Sequence, residues 1–598
     1  MKDFLNYYHD ELLFLRQKGE IFAKKHPNIA EKLDIKNGES SDPQTERIIE
    51  SVAFMAAKLH QKIDSNAQNI AFFLLSALYP NLINVFPPCG IAKFENENTA
   101  SKPDKLLIKK GTSLFVNSKN DVECQFRTLY PITLYPIDIS NIQLLKTAKK
   151  IGGIDGWSLE INIITKSIPI ELLELNDLLF YINLDIIEDS VSLYESIFSD
   201  PNRNVFLKIN EKYIKINNRN VIPCGFQKEE NVSPVPAYST NSFQLFQELL
   251  YFKQKFMFFR IIGLDNLIKN SGINNIYEFS IVIDVTIQND RLVEIINNKS
   301  ILLNAVPIVN LFPVTSDPFK FDGTQTKYLL LADQSRDKSI EIHSISEVHT
   351  IDAETQKDQL IQPYFSLYID SDTNVLHDLY WIFSKQSSTL RNLEGSDTYI
   401  SFIDTEMNPY KVYSDVVYAK LLCTNRFETR DIPIFSKMYI DALESGSYSA
   451  RLITKLTKPI NFSQKNCDLW NLIQQLTNNH VTVFNNLINS LKSLFDMLSI
   501  DSNMKSEELF NGINRITTKE IVRRFGKDAW RGFVRGIEVI IETNEKYNQF
   551  NYLFASVLNQ YLSDIISINS FIELKILQQE TQKIKAHWIP TSGKQDLI

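Results

Sequence analysis

Histidine and cysteine are the residue types that would first indicate metal binding or catalysis in this chain. The eight histidines form no HxH or HExxH pair, and the nearest candidates, His343 and His349, are six residues apart. The five cysteines share no CxxC spacing: Cys89, Cys124, Cys224, Cys423 and Cys467. A zinc site in a protein uses about four ligands, with at least one closely spaced pair. The sequence therefore predicts no metal ligands, and the scattered cysteines indicate buried structural thiols in a reducing compartment.

Motifs for nucleotide binding or nucleophilic catalysis are also absent from the sequence. No GxxxxGK[ST] loop and no GxSxG elbow occurs, although these are the spacings that cradle phosphates or expose a nucleophilic serine. We therefore predict no cofactor, no catalytic residue and no enzymatic activity. One alternative stays open, namely a multidomain cytoplasmic enzyme of the hydrolase class with a β-rich substrate domain. Its signature would be a polar cluster with perturbed pKa values in a deep pocket.

One basic segment is interleaved with aromatic residues in a way that nucleic-acid surfaces sometimes are. It consists of Arg523, Arg524, Phe525, Lys527, Trp530, Arg531, Phe533 and Arg535. The whole chain, however, has 63 basic and 71 acidic residues and a net charge of −8. Proteins that bind nucleic acids concentrate positive charge. We therefore predict no nucleic-acid partner, and we expect these arginines to pair with acidic residues.

The N-terminal 88 residues have the spacing of helices that pack against other helices. One apolar stripe consists of Leu5, Tyr8, Leu12, Leu15 and Phe22, and a second of Ile48, Val52, Met55, Leu59 and Ile63. Steps of three and four residues place such side chains on one helical face. The first helix is predicted over about 2–26. The second starts after Asp42, which is suited to capping, with Pro43 at the first helical position. A separate third helix is predicted from about residue 67 to Tyr79.

From Cys89 onward, short runs rich in Ile, Val, Phe and Tyr alternate with turn residues, which indicates β-structure. The predicted strands include 338–348, 399–403 and 415–422, and a helical insertion is predicted near 190–198. Near the end we predict a strand over 529–542, a helix over 552–568, and a last strand or extended tail from Leu574. The predicted fold is α+β, with helices at the N-terminus, several β-rich domains and a mixed α/β C-terminal region. We place the domains at 1–88 (core-bundle helices), 89–300 (β-rich with a helical insertion), 301–453 (β-rich) and 454–598 (mixed). Asp3, Asp10 and Glu11 interrupt the first apolar stretch. We therefore expect no signal peptide, no direct membrane insertion and a cytoplasmic location.

A set of short strings, in order along the chain, resembles the TssF family, also called VasA or ImpG. The set begins with residues 7–16 (YYHDELLFLR) and continues through Ser41-Asp42-Pro43, Leu78-Tyr79-Pro80, Asn310-Leu311-Phe312, Cys423-Thr424-Asn425-Arg426 and Asn569-Ser570-Phe571. No single string is specific, but their order over nearly the whole chain is. The sequence departs from the family at Gln44, where histidine is usual, and after Trp588, where the closing motif lacks its arginine.

The resemblance implies a structural role in the baseplate of the type VI secretion system. TssF is similar to wedge proteins of contractile phage baseplates. The family's plan joins two TssF copies to one TssG around a VgrG-like spike hub. TssK and TssE attach to this core, which supports sheath contraction and reaches the inner membrane through the membrane complex. The expected partners are therefore a second TssF copy, TssG, TssK, TssE and the spike hub.

The apolar stripes and the resemblance lead to one hypothesis about a binding face. We predict a partner-bundle face formed by Leu5, Tyr8, Leu12, Leu15, Phe22, Ile48, Val52, Met55 and Leu59. In this hypothesis the stripes pack against helices of TssG and of the second copy. In the alternative, the same stripes pack on later domains of their own chain.

Overall fold

The structure is a computed structural model of the 598-residue chain. It describes residues 4–28, 35–36, 39–40, 42–96, 105–147, 156–165, 168–200, 202–236, 239–273, 275–287, 291–351, 357–364, 375–388, 394–404, 416–440, 448–461, 469–476, 487–498, 510, 512–524, 532–544, 551–580 and 583–594. Within these ranges the chain divides into two compact units. The first comprises Met1–Ile83 with Ser463–Thr477, and the second comprises Asn84–Phe462 with Asn478–Ile598.

The α-helices of the described residues are α1 (Phe4–Lys25), α2 (Pro43–Leu78), α3 (Pro80–Ile83), α4 (Ile187–Phe198), α5 (Ser242–Tyr251), α6 (Leu264–Asn270), α7 (Arg291–Ile295), α8 (Leu469–Leu476), α9 (Leu487–Leu498) and α10 (Asn551–Ile565). The strands up to the middle of the chain are β1 (Ile35–Lys36), β2 (Glu39–Ser40), β3 (Cys89–Asn96), β4 (Leu106–Ile108), β5 (Ser113–Asn117), β6 (Glu123–Thr128), β7 (Ile132–Leu134), β8 (Ile137–Thr147), β9 (Gly156–Thr165), β10 (Asp177–Ile182), β11 (Val205–Ile209), β12 (Lys212–Ile216), β13 (Val221–Pro223), β14 (Phe258–Ile262), β15 (Glu278–Val285) and β16 (Ile301–Leu303).

The strands that follow are β17 (Ala305–Val309), β18 (Phe312–Thr315), β19 (Phe319–Lys320), β20 (Tyr328–Leu329), β21 (Glu341–Ile351), β22 (Asp358–Pro363), β23 (Val375–Ser387), β24 (Ser396–Asp404), β25 (Val416–Thr424), β26 (Lys437–Ile440), β27 (Tyr448–Leu452), β28 (Ile513–Arg524), β29 (Phe533–Thr543), β30 (Phe571–Gln578), β31 (Ile584–His587) and β32 (Thr591–Ser592). Helices at the N-terminus are followed by β-rich regions, which confirms the predicted α+β class.

The start of α2 matches its sequence signal. The Asp42 carboxylate accepts hydrogen bonds from the backbone N–H groups of Gln44 at 3.1 Å and Thr45 at 3.3 Å. Pro43 occupies the first turn, where its missing N–H costs nothing. These contacts satisfy backbone donors that have no partner inside the helix. The predicted cap is therefore confirmed.

The prediction of a separate third helix from about residue 67 is wrong. A single helix, α2, runs unbroken over 36 residues from Pro43 to Leu78. Its middle contains neither proline nor glycine, the two residues that most disfavour a helix interior. The helix ends where predicted, because Pro80 follows and the Tyr79 N–H makes the last bond, to the Leu75 carbonyl at 2.7 Å.

A closed barrel lies in the second unit, with strand order β17-β3-β27-β26-β5-β6. Closure leaves no unpaired strand edge. The strand β3 pairs with β27, where Ala92 lies opposite Leu452. A Cβ on Gly90 would lie 2.7 Å from the Leu456 side chain, so glycine permits this close approach. The predicted boundary at residue 300 lies between strands of this barrel, and the four-domain division stays a prediction.

The largest sheet has the order β18-β25-β21-β22-β23-β24-β20, with β19 also pairing with β25. Its core includes Val348, Ile361, Ala419 and Cys423, all fully buried. In β24 and β25 buried positions largely alternate with more exposed ones, as expected for strands with one covered face. The predicted strands at 338–348, 399–403 and 415–422 correspond to β21, β24 and β25.

Two further sheets surround the helical insertion that the sequence predicted at 190–198. Their strand orders are β12-β11-β15-β9-β8 and β13-β14-β10-β16. The insertion is α4, which buries Val191, Leu193 and Ile197. Nearby, Lys255 and Glu248 form an ion pair whose two side chains are both fully buried. Such a pair is tolerated because each charge neutralises the other.

The C-terminal sheet has the order β28-β29-β30-β31, with β32 also pairing with β30. Its strands β29 and β30 are parallel, and α10 connects them, which makes a βαβ unit. The predicted strand, helix and strand of this region correspond to β29, α10 and β30. The sequence analysis missed β28, because its residues are mostly exposed and polar and so lack an apolar alternation.

Candidate functional site

The exposed side of α2 carries the most unusual surface among the described residues. Its apolar side chains recur at steps of three, four and seven residues, and each is at least 36% exposed: Ile48, Val52, Met55, Leu59, Ile63, Ile70, Leu74 and Leu78. At about 100° per residue, these positions form one continuous stripe along the helix. We call these eight residues the α2 stripe.

The burial pattern of α2 is the opposite of that of an ordinary amphipathic helix, because small side chains are buried and large apolar ones are exposed. Over its first 21 residues only Ala53 and Ala57 are buried. The larger Ile48, Met55 and Leu59 are 64%, 60% and 62% exposed. A helix that served only its own chain would bury the large apolar side chains, since these gain most by leaving water. Contiguous exposed apolar surface of this kind is typical of protein interfaces.

Helix α1 contacts α2 through a mixture of aromatic and polar contacts. The rings of Phe4 and Phe54 meet edge to face, with centroids 5.2 Å apart. Glu11 and His60 form a contact of 2.7 Å, and Arg16 pairs with Glu46 at 2.7 Å.

The hydroxyl of Tyr7 donates to Asp64 at 2.6 Å, and this hydrogen bond raises the pKa of Tyr7. The residues of α2 that meet α1 lie on the side away from the α2 stripe. Helix α1 therefore leaves the stripe uncovered.

The nine predicted face residues fall into two groups. Leu5, Phe22, Ile48, Val52, Met55 and Leu59 are between 39% and 64% exposed. Tyr8, Leu12 and Leu15 on α1 are half-buried. None of the nine is buried, and the assignment of this face to a partner stays a prediction.

Sequence reasoning missed several exposed apolar residues near the predicted face. They are Leu13, Phe14 and Ile21 on α1, and Phe54, Ile70, Leu74 and Leu78 on α2. On α2 the signal was present, since Ile70, Leu74 and Leu78 continue the spacing of Ile63. The predicted break at residue 67 hid this continuity.

A buried polar cluster in the second unit bears on the hydrolase alternative. The Ser233 hydroxyl lies 3.3 Å from Nε2 of His343, and the ammonium group of Lys385 donates to the His343 carbonyl at 2.7 Å. Burial, together with the charge of Lys385, holds the pKa of His343 well below its usual value. Burial lowers the pKa of Lys385 to about 8. A serine beside a neutral histidine has the composition of a nucleophile and its base.

This cluster is nevertheless closed to a substrate. Ser233 is 3% exposed and His343 is 1% exposed, so a reacting group has no approach to the hydroxyl. The arrangement satisfies buried polar groups, which otherwise cost free energy.

The predicted ion pairing of the basic segment is confirmed for Arg523. Arg523 pairs with Glu573 at 2.6 Å. Lys575 and His587 contact the same carboxylate at 3.0 and 2.8 Å. Burial raises the pKa of Glu573, but the hydrogen bonds from Lys575 and His587 outweigh it and hold the pKa below the usual value. Four residues of the predicted segment lie outside the described residues: Phe525, Lys527, Trp530 and Arg531.

The described residues contain no group of three or more His, Cys, Asp or Glu placed to hold a metal ion. None of the helices in these ranges combines the length and the apolar character that a membrane crossing requires. Cys89, Cys124, Cys224 and Cys423 are free and buried, as predicted for structural thiols, and Cys467 lies outside the described residues.

A long helix with an uncovered apolar stripe, joined to a chain rich in sheets, is typical of a subunit of a larger assembly. The family model described as type VI secretion system, TssF, matches residues 1–595. The chain therefore belongs to the TssF family, which confirms the resemblance drawn from the sequence.

Individual relatives agree with this assignment. The chain is 22% identical over 600 aligned positions to the type VI secretion system component TssF1 of Pseudomonas aeruginosa, and the match covers 95% of both chains. Its fold is similar to a chain in the cryo-electron microscopy structure of the TssK-TssF-TssG baseplate subcomplex, with a TM-score of 0.72 and 19% identity. That match covers 92% of this chain and 99% of the other. A chain of the type VI secretion system baseplate complex matches with a TM-score of 0.54 and 17% identity over 100% of both chains.

Proposed function

We propose that this chain is a structural subunit of the type VI secretion system baseplate. In this proposal its N-terminal helices bind TssG and a second copy of the chain. Membership of the TssF family and the fold shared with a chain of the TssK-TssF-TssG baseplate subcomplex support it. The chain works by binding neighbours in a fixed geometry, and it does so without catalysis.

The finer assignment follows the plan that the sequence resemblance implies. Two copies of the chain join one TssG to form a wedge, and wedges surround a VgrG-like spike hub. TssK and TssE attach to the wedge, which supports assembly and triggering of sheath contraction. The assembly lies in the cytoplasm and reaches the inner membrane through the secretion system's membrane complex.

The α2 stripe is the single observation that carries the proposal. Its eight apolar side chains remain at least 36% exposed in the chain. Exposing this much apolar surface to water is unfavourable, and a helix from a neighbouring subunit that covers it gains that free energy on binding. An enzyme that acts alone has no use for such a surface.

Co-expression with TssG and TssK, followed by native mass measurement of the purified complex, tests the proposal. We expect a species with two copies of this chain for each TssG. A chain that purifies alone as a monomer in the presence of both partners would contradict the proposed function. A complex with one copy for each TssG would contradict the stoichiometry and leave the structural role intact.

A further inference from the structure

A cleft of about 1010 Å³ opens in the second unit, and its lining includes none of the residues discussed as a binding face. Two distant parts of the chain line it, within residues 194–241 and 552–594. One wall is aromatic, because Tyr552 and Trp588 stack with ring centroids 4.9 Å apart. Its volume is at the upper end of the range for ligand-binding clefts, which runs to about 1,000 Å³.

A buried arginine, Arg203, lines this cleft and forms no ion pair with an acidic side chain among the described residues. Arg203 is only 7% exposed, and its guanidinium carbon lies 4.7 Å from the centre of the Phe198 ring. One terminal nitrogen makes a long hydrogen bond, 3.4 Å, to the Val221 carbonyl. The Nε atom has no hydrogen-bond partner among the described residues. Burial lowers the pKa of Arg203, which shows that the protein solvates this cation poorly.

A buried guanidinium is normally paired with a carboxylate or phosphate, because an unpaired buried charge is costly. The described part of the chain provides no such group within ion-pair distance of Arg203. An anion bound in the cleft would therefore provide a counter-charge, and the terminal nitrogens of the guanidinium are the donors with which a carboxylate pairs.

The remaining charges of the cleft are also mostly positive. Arg219 is exposed, and Lys228 donates to the backbone carbonyls of Pro236 and Ser239 at 2.6 and 3.4 Å. Lys594 pairs at 3.0 Å with Asp564, the carboxylate of the cleft lining. Positive charge on a binding surface attracts an acidic ligand and helps to fix its register.

The aromatic wall indicates which kind of acidic ligand fits the cleft. Tyr552 and Trp588 present ring surface beside the positive groups of the lining, and such rings pack against apolar groups. A free phosphate or sulfate supplies an anion but no apolar group, whereas a peptide supplies a side-chain carboxylate and an apolar side chain together.

We propose that this cleft binds an acidic peptide segment of a partner protein in the assembly. A carboxylate of the segment pairs with Arg203, and an apolar side chain packs on the wall of Tyr552 and Trp588. The inference rests on the proposed function, since it adds a second binding site to the same structural subunit.

Site-specific photocross-linking in the co-purified complex with TssG and TssK tests this assignment. Thr240 is exposed and lines the cleft, so p-benzoylphenylalanine is placed there. The matched control position is Leu172, which is 72% exposed and lies outside the cleft lining. We expect a cross-link from residue 240 to a segment of a partner subunit that contains Asp or Glu, and no cross-link to that segment from residue 172.

Charge-reversal variants then test the electrostatic part of the inference. Arg219→Glu changes an exposed side chain, so it leaves the fold intact, and we expect the cross-link yield to fall roughly tenfold, the effect of losing one charge-assisted contact. Arg430→Glu is the matched control, because Arg430 is exposed and lies outside the cleft lining. Its yield should equal that of the unmodified complex.

Several results would overturn the inference while leaving the proposed function standing. In each of them the complex assembles normally. They are an absent cross-link at residue 240, a cross-link only within the same chain, a cross-linked segment without acidic residues, and equal yields for Arg219→Glu and Arg430→Glu. Failure of the unmodified chain to co-purify with TssG and TssK would instead contradict the proposed function, and the inference would fall with it.

Discussion

Replacing Leu59 with aspartate is the sharpest perturbation of the α2 stripe. Leu59 is 62% exposed in the chain, and full burial of a leucine side chain contributes about 1.5–3 kcal/mol. Covering the remaining surface in a complex therefore contributes about 1–2 kcal/mol, which the variant loses. An aspartate held in an apolar interface adds roughly 1–3 kcal/mol, because its carboxylate is desolvated without a partner.

The two contributions to Leu59→Asp together weaken binding by about 2–5 kcal/mol, or roughly thirtyfold to several thousandfold in Kd. The isolated chain should change little. A surface substitution alters the free energy of unfolding by about 0.5 kcal/mol, and the poorer helix propensity of aspartate adds a similar amount. The variant thus separates loss of binding from loss of folding.

Binding of the isolated variant to TssG, measured by co-purification and by titration, is the assay, with thermal unfolding as the test of folding. Leu172→Asp is the matched control, since Leu172 is 72% exposed and lies in the other unit. Leu12→Asp and Leu15→Asp are less decisive, because these side chains are half-buried and their replacement also affects the packing of α1. A folded Leu59→Asp chain that binds TssG with unchanged affinity would refute the reasoning.

Three further predictions concern the interior of the second unit. Glu248→Gln leaves the fully buried Lys255 without its counter-charge. Denaturant titration should show a free energy of unfolding lower by about 3–5 kcal/mol. A change below about 1 kcal/mol would contradict this. Gly593→Ala places a Cβ against the backbone carbonyls of Ser567 and Ile566. We expect the same titration to show a free energy of unfolding lower by about 2 kcal/mol or more. Gly532→Ala is the control and should have little effect, because nothing lies near its Cβ. Glu573 has a pKa below its ordinary value of 4.5, so its pairing stabilises the fold above that pH, and the stabilisation is lost as the pH falls through the lower folded-state pKa. Thermal unfolding followed from pH 6 to pH 3 should show this loss in the unmodified chain and a smaller one in Glu573→Gln; identical pH profiles would exclude the pairing.

Local features of the fold were predictable because their causes are local. The cap at Asp42 and the end of α2 before Pro80 follow from residues adjacent in the sequence. The individual elements of the C-terminal βαβ unit were largely predictable for the same reason, since each has its own apolar period, but their parallel pairing was not predicted. The predicted break within α2 is wrong, because residues 64–66 are polar but include neither proline nor glycine, so nothing there ends the helix.

Features that depend on long-range pairing were not predictable. The barrel brings β3 against β27, so that Ala92 lies opposite Leu452, and no local pattern specifies a partner so distant in the sequence. The cleft has the same origin, because Arg203 and Asn559 become neighbours of one cavity only through the fold. The α2 stripe was largely predictable from its spacing, but the spacing alone did not say that the stripe would remain exposed.

Oxidation of Met55 measures directly whether partners cover the α2 stripe. Met55 is 60% exposed in the chain, and an exposed thioether is oxidised to the sulfoxide. Brief peroxide treatment, followed by mass spectrometry of the peptide that contains Met55, compares the isolated chain with its complex with TssG. The account predicts rapid oxidation in the isolated chain and strong protection in the complex. Equal oxidation rates in the two samples would contradict it.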